Sequence, residues 1–86
     1  MGRDRQIKTI ARLKELASRK EGVDCHLKLQ FGIVSRKHIT YDNDDGFYVH
    51  NLVDGSDQVL SEQEVMDEKC TNIGAWMKGG ALFEDE

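Results

Sequence analysis

Apolar and polar side chains alternate through the middle of the chain. In the stretch CHLKLQFGI the even-numbered positions are polar or glycine, and the odd-numbered, apolar positions are Cys25, Leu27, Leu29, Phe31 and Ile33. A period of two is typical of a strand with one buried face. The polar sequence SRK then favours a turn, and the same parity continues in HITYDN and FYVHN with Ile39, Tyr41, Phe47 and Val49. The alternation therefore predicts three antiparallel strands that share one apolar face of odd-numbered residues.

A helix is predicted before these strands, over residues 5–20. Asp4 is a suitable N-cap, and Gly22 stands where helices commonly end in the left-handed conformation. The apolar residues of this segment fall on one broad helical face, namely Ile7, Ile10, Ala11, Leu13, Leu16 and Ala17. A narrow basic stripe on the opposite face contains Arg5, Lys8, Arg12 and Arg19.

A second helical region follows the strands. Ser61 and Glu64 have the spacing of a capping box, S-x-x-E, which marks a helix start. The apolar residues between 65 and 77 lie within one arc if a single helix runs to Lys78. Polar residues 71 and 72, together with Gly74, favour a break, which leaves two short helices as the alternative.

The order of these elements predicts an α+β fold. Antiparallel strands with a helix before and after them form a single two-layer domain over residues 1–86, with both helices on the odd-numbered face of a three-stranded meander. Residues 81–86, ALFEDE, are expected to be a frayed acidic tail. The predicted core consists of Ile10, Leu13, Leu29, Phe31, Ile39, Val49, Ile73 and Trp76.

The acidic stretch YDNDDG raises the question of a calcium site. If Gly46 takes the sixth position of a calcium-binding loop, the first and twelfth positions are Tyr41 and Leu52, which cannot supply the required ligands. A hairpin turn accounts for the stretch better. A three-residue loop over residues 44–46 pairs Tyr41 with Val49, keeps one face apolar and puts Gly46 where a positive φ is needed.

The candidate chemical groups form no catalytic or metal-binding pattern. Cys25 and Cys70 belong to no CxxC pair, so free thiols are expected. His26, His38 and His50 have even numbers and should project from the face opposite the core, with His38 diagonal to His50 and no third metal ligand placed by spacing. Cys25 and His26 are adjacent strand residues, point to opposite faces and cannot act as a nucleophile and its base. No enzymatic activity, cofactor or metal is predicted.

Charge is divided along the chain. Residues 1–20 contain seven basic and two acidic residues, a net +5, whereas residues 41–86 contain two basic and twelve acidic residues, a net −10. Such a division is typical of two halves that fold against each other and of an acidic surface that keeps the domain in solution. As a functional feature, the acidic half predicts a non-enzymatic domain that binds another protein, as an inhibitor or an adaptor. Some inhibitors from mobile elements are small acidic domains that occupy a protein's nucleic-acid groove by imitating phosphates. The predicted partner-binding residues are Tyr48, His50, Asp54, Asp57 and Glu62.

The basic stripe of the first helix supports an alternative hypothesis, weak nucleic-acid binding through Arg5, Lys8, Arg12 and Arg19. The element order resembles that of double-stranded-RNA-binding domains. Those domains start their last helix with lysines, however, whereas this chain has carboxylates there, at Glu62, Glu64, Asp67 and Glu68. Nucleic-acid binding is therefore the second hypothesis and protein binding the first.

The apolar segments of the chain are short. None approaches the roughly 20 residues that span a bilayer. The first ten residues, MGRDRQIKTI, lack the apolar region of a signal peptide. A cytoplasmic location is therefore expected.

Overall fold

The structure, a computed structural model, describes residues 5–67 and 73–85. In chain order its elements are helix α1 (Ile10–Ala17), strands β1 (Val23–Leu29), β2 (Gly32–Asp42), β3 (Gly46–Asn51) and β4 (Asp57–Leu60), helices α2 (Glu62–Met66) and α3 (Ile73–Lys78), and strand β5 (Leu82–Glu84). The five strands form one antiparallel sheet in the order β4-β3-β2-β1-β5. The described part of the chain is thus an α+β domain with three helices and five strands.

The sheet has five strands rather than the predicted three, because two short segments add β4 and β5, and the first turn lies earlier in the chain than predicted. Gly32 has a φ of 119°, and the chain reverses at residues 30–31, so β1 and β2 form a hairpin. Strand β2 then continues through SRK, where a turn was predicted. The short segments DQVL and LFE supply β4 and β5. The acidic end that was expected to be frayed therefore includes β5, which pairs with β1.

One hydrophobic core lies between the sheet and the helices. Four of the predicted core residues are buried, namely Leu13, Ile39, Val49 and Ile73. Two more, Ile10 and Trp76, are partly buried against the same cluster. Two predictions are wrong: the side chains of Leu29 and Phe31 are 42% and 83% exposed. The reversal at residues 30–31 places them at the tip of the β1–β2 hairpin instead of in the middle of a strand.

All three helices pack on the same face of the sheet. Leu13 of α1, Val65 of α2 and Ile73 of α3 belong to one cluster with Ile39 and Phe47 of the strands. The other face of the sheet carries the even-numbered residues of β2 and β3, as the alternation predicts. Among the described residues, no helix combines the length and the apolar character needed to cross a membrane.

The β2–β3 hairpin has a three-residue loop, as predicted, but the loop is displaced by one residue. Residues 43–45 form it, Asp42 pairs with Gly46, and Tyr41 pairs with Phe47 rather than with Val49. Gly46 has a φ of 96°, and an added Cβ there would lie 2.5 Å from a backbone oxygen of β4. Because the pairing register moves by two residues, an even number, every side chain stays on its predicted face.

Helix α1 begins later than predicted. Its N-cap is Thr9, whose hydroxyl accepts a hydrogen bond from the Arg12 N–H (3.2 Å). Asp4, the predicted N-cap, lies outside the described residues. Residues 5–9 therefore precede the helix, and the predicted start at residue 5 is wrong.

The backbone of this N-terminal segment pairs with β5 instead. The Ile7 N–H donates to the Leu82 carbonyl (2.8 Å), and the Glu84 N–H donates to the Arg5 carbonyl (2.8 Å). Gln6 pairs with Phe83 as an isolated bridge. These hydrogen bonds satisfy the backbone groups of residues 5–7 in an extended conformation, which excludes a helix there.

The second helical region is split in two. The Ser61 hydroxyl accepts from the Glu64 N–H (3.2 Å), and the Glu64 carboxylate accepts from the Ser61 N–H (3.0 Å), which completes the predicted capping box. Helix α2 ends at Met66, and its C-cap residue, Asp67, has an extended ψ of 114°. Helix α3 begins at Ile73, and residues 68–72, with the predicted breakers at 71 and 72, lie outside the described residues.

Gly74 sets the contact between α2 and α3. An added Cβ would lie 2.5 Å from the Met66 carbonyl oxygen and 2.8 Å from the Met66 Cα. Alanine normally stabilises a helix by about 1 kcal/mol relative to glycine. We nevertheless expect Gly74→Ala to lower the free energy of unfolding by about 1–3 kcal/mol, because one of the two backbones must move. Urea denaturation measures the difference.

The control for this substitution is Lys78→Ala, at an exposed position at the end of α3. It should change the free energy of unfolding by less than about 0.5 kcal/mol. A Gly74→Ala variant that is more stable than the parent would contradict the close contact between the backbones of α2 and α3.

Candidate functional site

Strand β4 lies at one edge of the sheet, beside β3. The opposite edge strand, β5, is flanked by the N-terminal segment. The five predicted partner-binding residues border β4: Tyr48 and His50 on β3, Asp54 in the preceding turn, Asp57 as the first residue of β4, and Glu62 as the first residue of α2. The chain therefore places residues from β3, the following turn and β4 along one strand, and Glu62 directly after it.

An apolar pair occupies the outer face at this edge. Tyr48 lies directly opposite Val59 in the antiparallel pairing of β3 with β4. Both side chains are exposed, Tyr48 at 38% and Val59 at 55%. Val59 was not among the predicted site residues. The exposure of Val59 follows from its neighbour Leu60, which is apolar and is buried in the core. Adjacent residues of a strand point to opposite faces, so Val59 lies on the outer face.

Two aspartate–histidine pairs continue the outer face from this edge. His50 Nδ1 lies 2.6 Å from Asp57 Oδ1, and His38 Nδ1 lies 2.5 Å from Asp24 Oδ1. His38 pairs directly with His50, and not diagonally as predicted, because the β2–β3 register is displaced by two residues. The four residues form a row that crosses β1, β2, β3 and β4.

The third histidine lies near β5. His26 Nδ1 contacts a carboxylate oxygen of Asp85, and the His26 ring stacks on Phe83 with the ring centroids 5.8 Å apart. Asp85 also accepts a hydrogen bond from Arg36 (3.3 Å). Each of the three imidazoles thus has a carboxylate partner. In residues 5–67 and 73–85, no group of three or more His, Cys, Asp or Glu residues is arranged to hold a metal ion.

Local hydrogen bonds hold two further carboxylates near β4. The Asp54 carboxylate accepts from the Ser56 N–H (2.9 Å), and hydrogen bonds from the side chain and backbone of Ser56 lower the pKa of Asp54. Asp54 therefore stays ionised at neutral pH. The Tyr48 hydroxyl donates to the Asp45 carboxylate, and this hydrogen bond raises the pKa of Tyr48. The tyrosine at the centre of the edge is thus oriented by an acidic neighbour.

Glu62 faces the helical layer instead of the outer face. Its carboxylate lies 2.9 Å from Lys14 Nζ, which also lies 5.0 Å from the centroid of the Tyr41 ring. The hydrogen bond to Glu62 is the largest cause of the raised pKa of Lys14. Glu62 therefore links α2 to α1, and a cation matches its charge. The structure separates Glu62 from the other four predicted residues.

The basic residues of the alternative hypothesis do not form one helical stripe. Only Arg12 lies within α1, while Arg5 and Lys8 precede the helix and Arg19 follows it. Arg12 and Arg19 each form an ion pair with a glutamate. The predicted stripe is wrong as a helical surface because it depended on a helix that starts at residue 5.

Cys25 is a free thiol on the core face of β1. Burial is the main cause that raises the pKa of this thiol to about 12. A thiol that remains protonated and inaccessible is a poor nucleophile. Cys70, the second predicted free thiol, lies outside the described residues.

The tip of the β1–β2 hairpin is a further exposed apolar surface, and the sequence pattern assigned two of its residues, Leu29 and Phe31, to the core. Its exposed residues are Leu29, Phe31, Ile33 and Val34. A bulge in the β1–β2 pairing after Leu27 adds to the departure from simple alternation. The signal in the sequence is Gly32, because a glycine within an alternating run marks a bend.

No family model matches this chain, and neither a curated protein nor a solved structure matches it.

The burial of Cys25 predicts a loss of stability at alkaline pH. Its ordinary pKa of 9.0 becomes about 12 in the folded protein. Between these values the unfolded chain has released the thiol proton while the folded chain retains it. The free energy of unfolding therefore falls as the pH rises, by about 1.4 kcal/mol per pH unit for this group.

Cys25→Ala removes this contribution. We expect the variant to be less stable than the parent near neutral pH, since it leaves a cavity, and to lose stability less steeply above pH 9.0. Urea denaturation across the alkaline range measures both slopes. All other titrating groups are common to the two proteins, so equal slopes would contradict the assigned pKa.

Proposed function

We propose that this chain is a non-enzymatic, intracellular protein-binding domain that docks through the outer side of β4. The docking region, here named the β4 surface, consists of Tyr48, His50, Asp54, Asp57 and Val59. The observation that carries the proposal is the exposed Tyr48–Val59 pair at an edge of the sheet, bordered by carboxylates.

The β4 surface has the composition of a protein-binding patch. Protein interfaces commonly have an aromatic or apolar centre and a polar rim. Tyr48 supplies a large, rigid contact area with a hydroxyl at its end, and Val59 extends the apolar area beside it. Asp57 lies at the rim, where its side chain remains 76% exposed while it contacts His50. These features support direct contact with a partner.

The charge of the β4 surface favours a basic partner. Asp54 and Asp57 lie beside the apolar pair, Asp45 contacts Tyr48, and residues 41–86 have a net charge of −10, from two basic and twelve acidic residues. Complementary charge speeds association and disfavours acidic competitors. The proposed partner is therefore a protein with a basic surface. As an acidic inhibitor of the mobile-element type, this chain would cover that surface; as an adaptor, it would connect the partner to another protein.

The arrangement of the other groups supports a non-enzymatic role. In the described part of the chain, no hydroxyl or thiol hydrogen-bonds to any of the three histidine rings. Catalysis by an activated nucleophile needs such a contact, or one that forms when substrate binds. The aspartate–histidine pairs instead orient side chains on the outer face of the sheet.

Neutralising the carboxylates of the β4 surface tests the proposal. The double variant Asp54→Asn, Asp57→Asn removes two negative charges and leaves the side-chain size nearly unchanged. We expect it to bind about tenfold or more weakly to a basic protein that the parent captures from host lysate, because the complementary charges are lost. Mass spectrometry identifies the captured protein, and calorimetry with the purified pair measures affinity. Tyr48→Ala should weaken the same complex.

The matched control is Glu15→Gln with Glu21→Gln, which removes the same charge from α1 and the turn after it. This control should bind the partner as the parent does. Equal weakening by both double variants would indicate a general charge effect and contradict a β4 surface. Failure of the parent to capture any specific protein would contradict the proposal as a whole.

Nucleic-acid binding should be absent under the same conditions. The four basic residues of the alternative hypothesis are dispersed over three segments, and two of them form ion pairs with glutamates. We expect no saturable binding to duplex DNA or RNA at physiological salt, and no difference between the parent and Arg12→Glu. Fluorescence anisotropy at low and physiological salt measures both. Salt-sensitive binding that Arg12→Glu abolishes would favour the alternative.

A further inference from the structure

The hydrogen bonds of the β3–β4 pair determine which backbone groups of β4 point away from the sheet. The Asn51 N–H donates to the Ser56 carbonyl (2.8 Å), so the backbone of Asn51 points towards the strand that follows the turn. The same register continues along β4. Hydrogen-bonded and non-hydrogen-bonded pairs alternate in an antiparallel ladder. Asp57 and Val59 therefore belong to non-hydrogen-bonded pairs, and their N–H and C=O groups point outward, away from β3.

The two edge strands of the sheet differ in whether another segment pairs with their outward backbone groups. At the β5 edge, the backbone of Arg5 and Ile7 hydrogen-bonds to the strand. Strand β4, with the sequence DQVL, contains no proline, no lysine and no irregularity in its pairing with β3. Proline, lysine and bulges are among the means by which an edge strand is kept from pairing with another chain; short length and other charged side chains are two more, and β4 has both in its four residues and Asp57. Among the residues that the structure describes, no backbone hydrogen bond covers the outward side of β4, which can therefore accept a short further strand whose charge complements Asp57.

We infer that the β4 surface binds its partner by strand addition: an extended, basic segment of the partner pairs with β4 as a sixth strand. The inference rests on the proposed function and adds the binding mode and the chemistry of the bound segment. The backbone of Asp57 and Val59 offers two N–H donors and two C=O acceptors to such a segment. Main-chain hydrogen bonds of this kind provide affinity, and alternate side chains provide specificity.

The side chains of the β4 surface define what the added strand must carry. Every second residue of the strand lies on the outer face, beside Asp57 and Val59 in turn. A lysine or arginine there meets the carboxylates of Asp57 and Asp54, and an apolar side chain packs on Val59 and Tyr48. A second copy of this chain would bring like charges together at the same edge, which disfavours it as the occupant.

The bound segment is short. At the far end of β4 the Ser61 N–H is already bonded to the Glu64 carboxylate in the capping box. At the near end the Gly55 N–H donates to the Asn51 carbonyl within the turn. The pairing therefore covers about four residues, roughly the length of β4 itself.

The test uses a defined probe: a capped eight-residue peptide in which lysine and valine alternate. NMR titration and amide hydrogen exchange of the labelled full chain report where it binds. We expect saturable binding, with exchange of the Asp57 and Val59 amides slowed about tenfold or more at saturation. The Leu60 amide, which belongs to the ladder with β3, should change less. The same peptide with glutamate in place of lysine should not bind.

Val59→Pro removes one outward N–H without touching the ladder with β3, since edge strands accept proline at such a position. We expect this variant to bind the lysine–valine peptide about tenfold or more weakly. The matched control, Val59→Thr, keeps the N–H and the β-branched shape and should retain most of the affinity. Thermal unfolding of both variants checks that they fold, and the exchange measurement on the parent does not depend on them.

Several outcomes would overturn the inference. These are no saturable peptide binding at about millimolar concentration, binding without protection of Asp57 and Val59, or equal affinity of Val59→Pro and Val59→Thr. A dimer whose formation protects the Asp57 and Val59 amides would make a second copy the occupant. If the partner captured from lysate still requires Asp54 and Asp57 for binding while the lysine–valine peptide does not bind, the proposed function stands and only strand addition is excluded. If both arms fail, the proposed function fails as well.

Discussion

The structure depends on the burial of one apolar face of the sheet beneath the helices. Ile39 and Phe47 from neighbouring strands are fully buried, together with Leu13, Val65 and Ile73, so that each helix contributes to one core. Burying a side chain of this size contributes about 1.5–3 kcal/mol, and a chain of 86 residues has material for only one such layer. The opposite face of the sheet is consequently left to polar residues, to histidines with carboxylate partners, and to the exposed Tyr48–Val59 pair.

The second constraint is that the outward N–H and C=O groups of an edge strand need hydrogen-bond partners. At the β5 edge, residues 5–7 supply these partners, and because this segment is extended, α1 begins only at Ile10, after its N-cap Thr9. At the β4 edge the outward groups of Asp57 and Val59 lie between an acidic turn and the N-terminus of α2. These outward groups make the acidic surface a candidate binding site, because they offer a partner directional hydrogen bonds in addition to charge.

The aspartate–histidine row across the outer face has a structural explanation that needs no catalysis. His38 and His50 are paired across β2 and β3, and each ring nitrogen Nδ1 finds a carboxylate on the next strand outward, Asp24 on β1 and Asp57 on β4. Such cross-strand contacts join four strands by polar side chains. Near β4 the row also holds the Asp57 carboxylate beside Val59, where a basic partner would meet both.

The sequence by itself determined the face on which each side chain of the central strands lies, the capping box of α2 and the length of the β2–β3 loop. These features depend on neighbours within a few residues, and a period of two survives a register displacement of two. Tertiary structure decided the turn at residues 30–31, which exposes Phe31, and the start of α1 at Ile10. It also decided the pairing of the acidic end with β1 as β5, and the position of Glu62 on the helical side, away from Tyr48. For the β4 surface, the sequence predicted four residues as exposed and polar or aromatic. Their position beside an edge strand could not be predicted from the sequence. An edge is a property of the whole sheet, because which strand lacks a neighbour depends on the pairing of segments far apart in the chain.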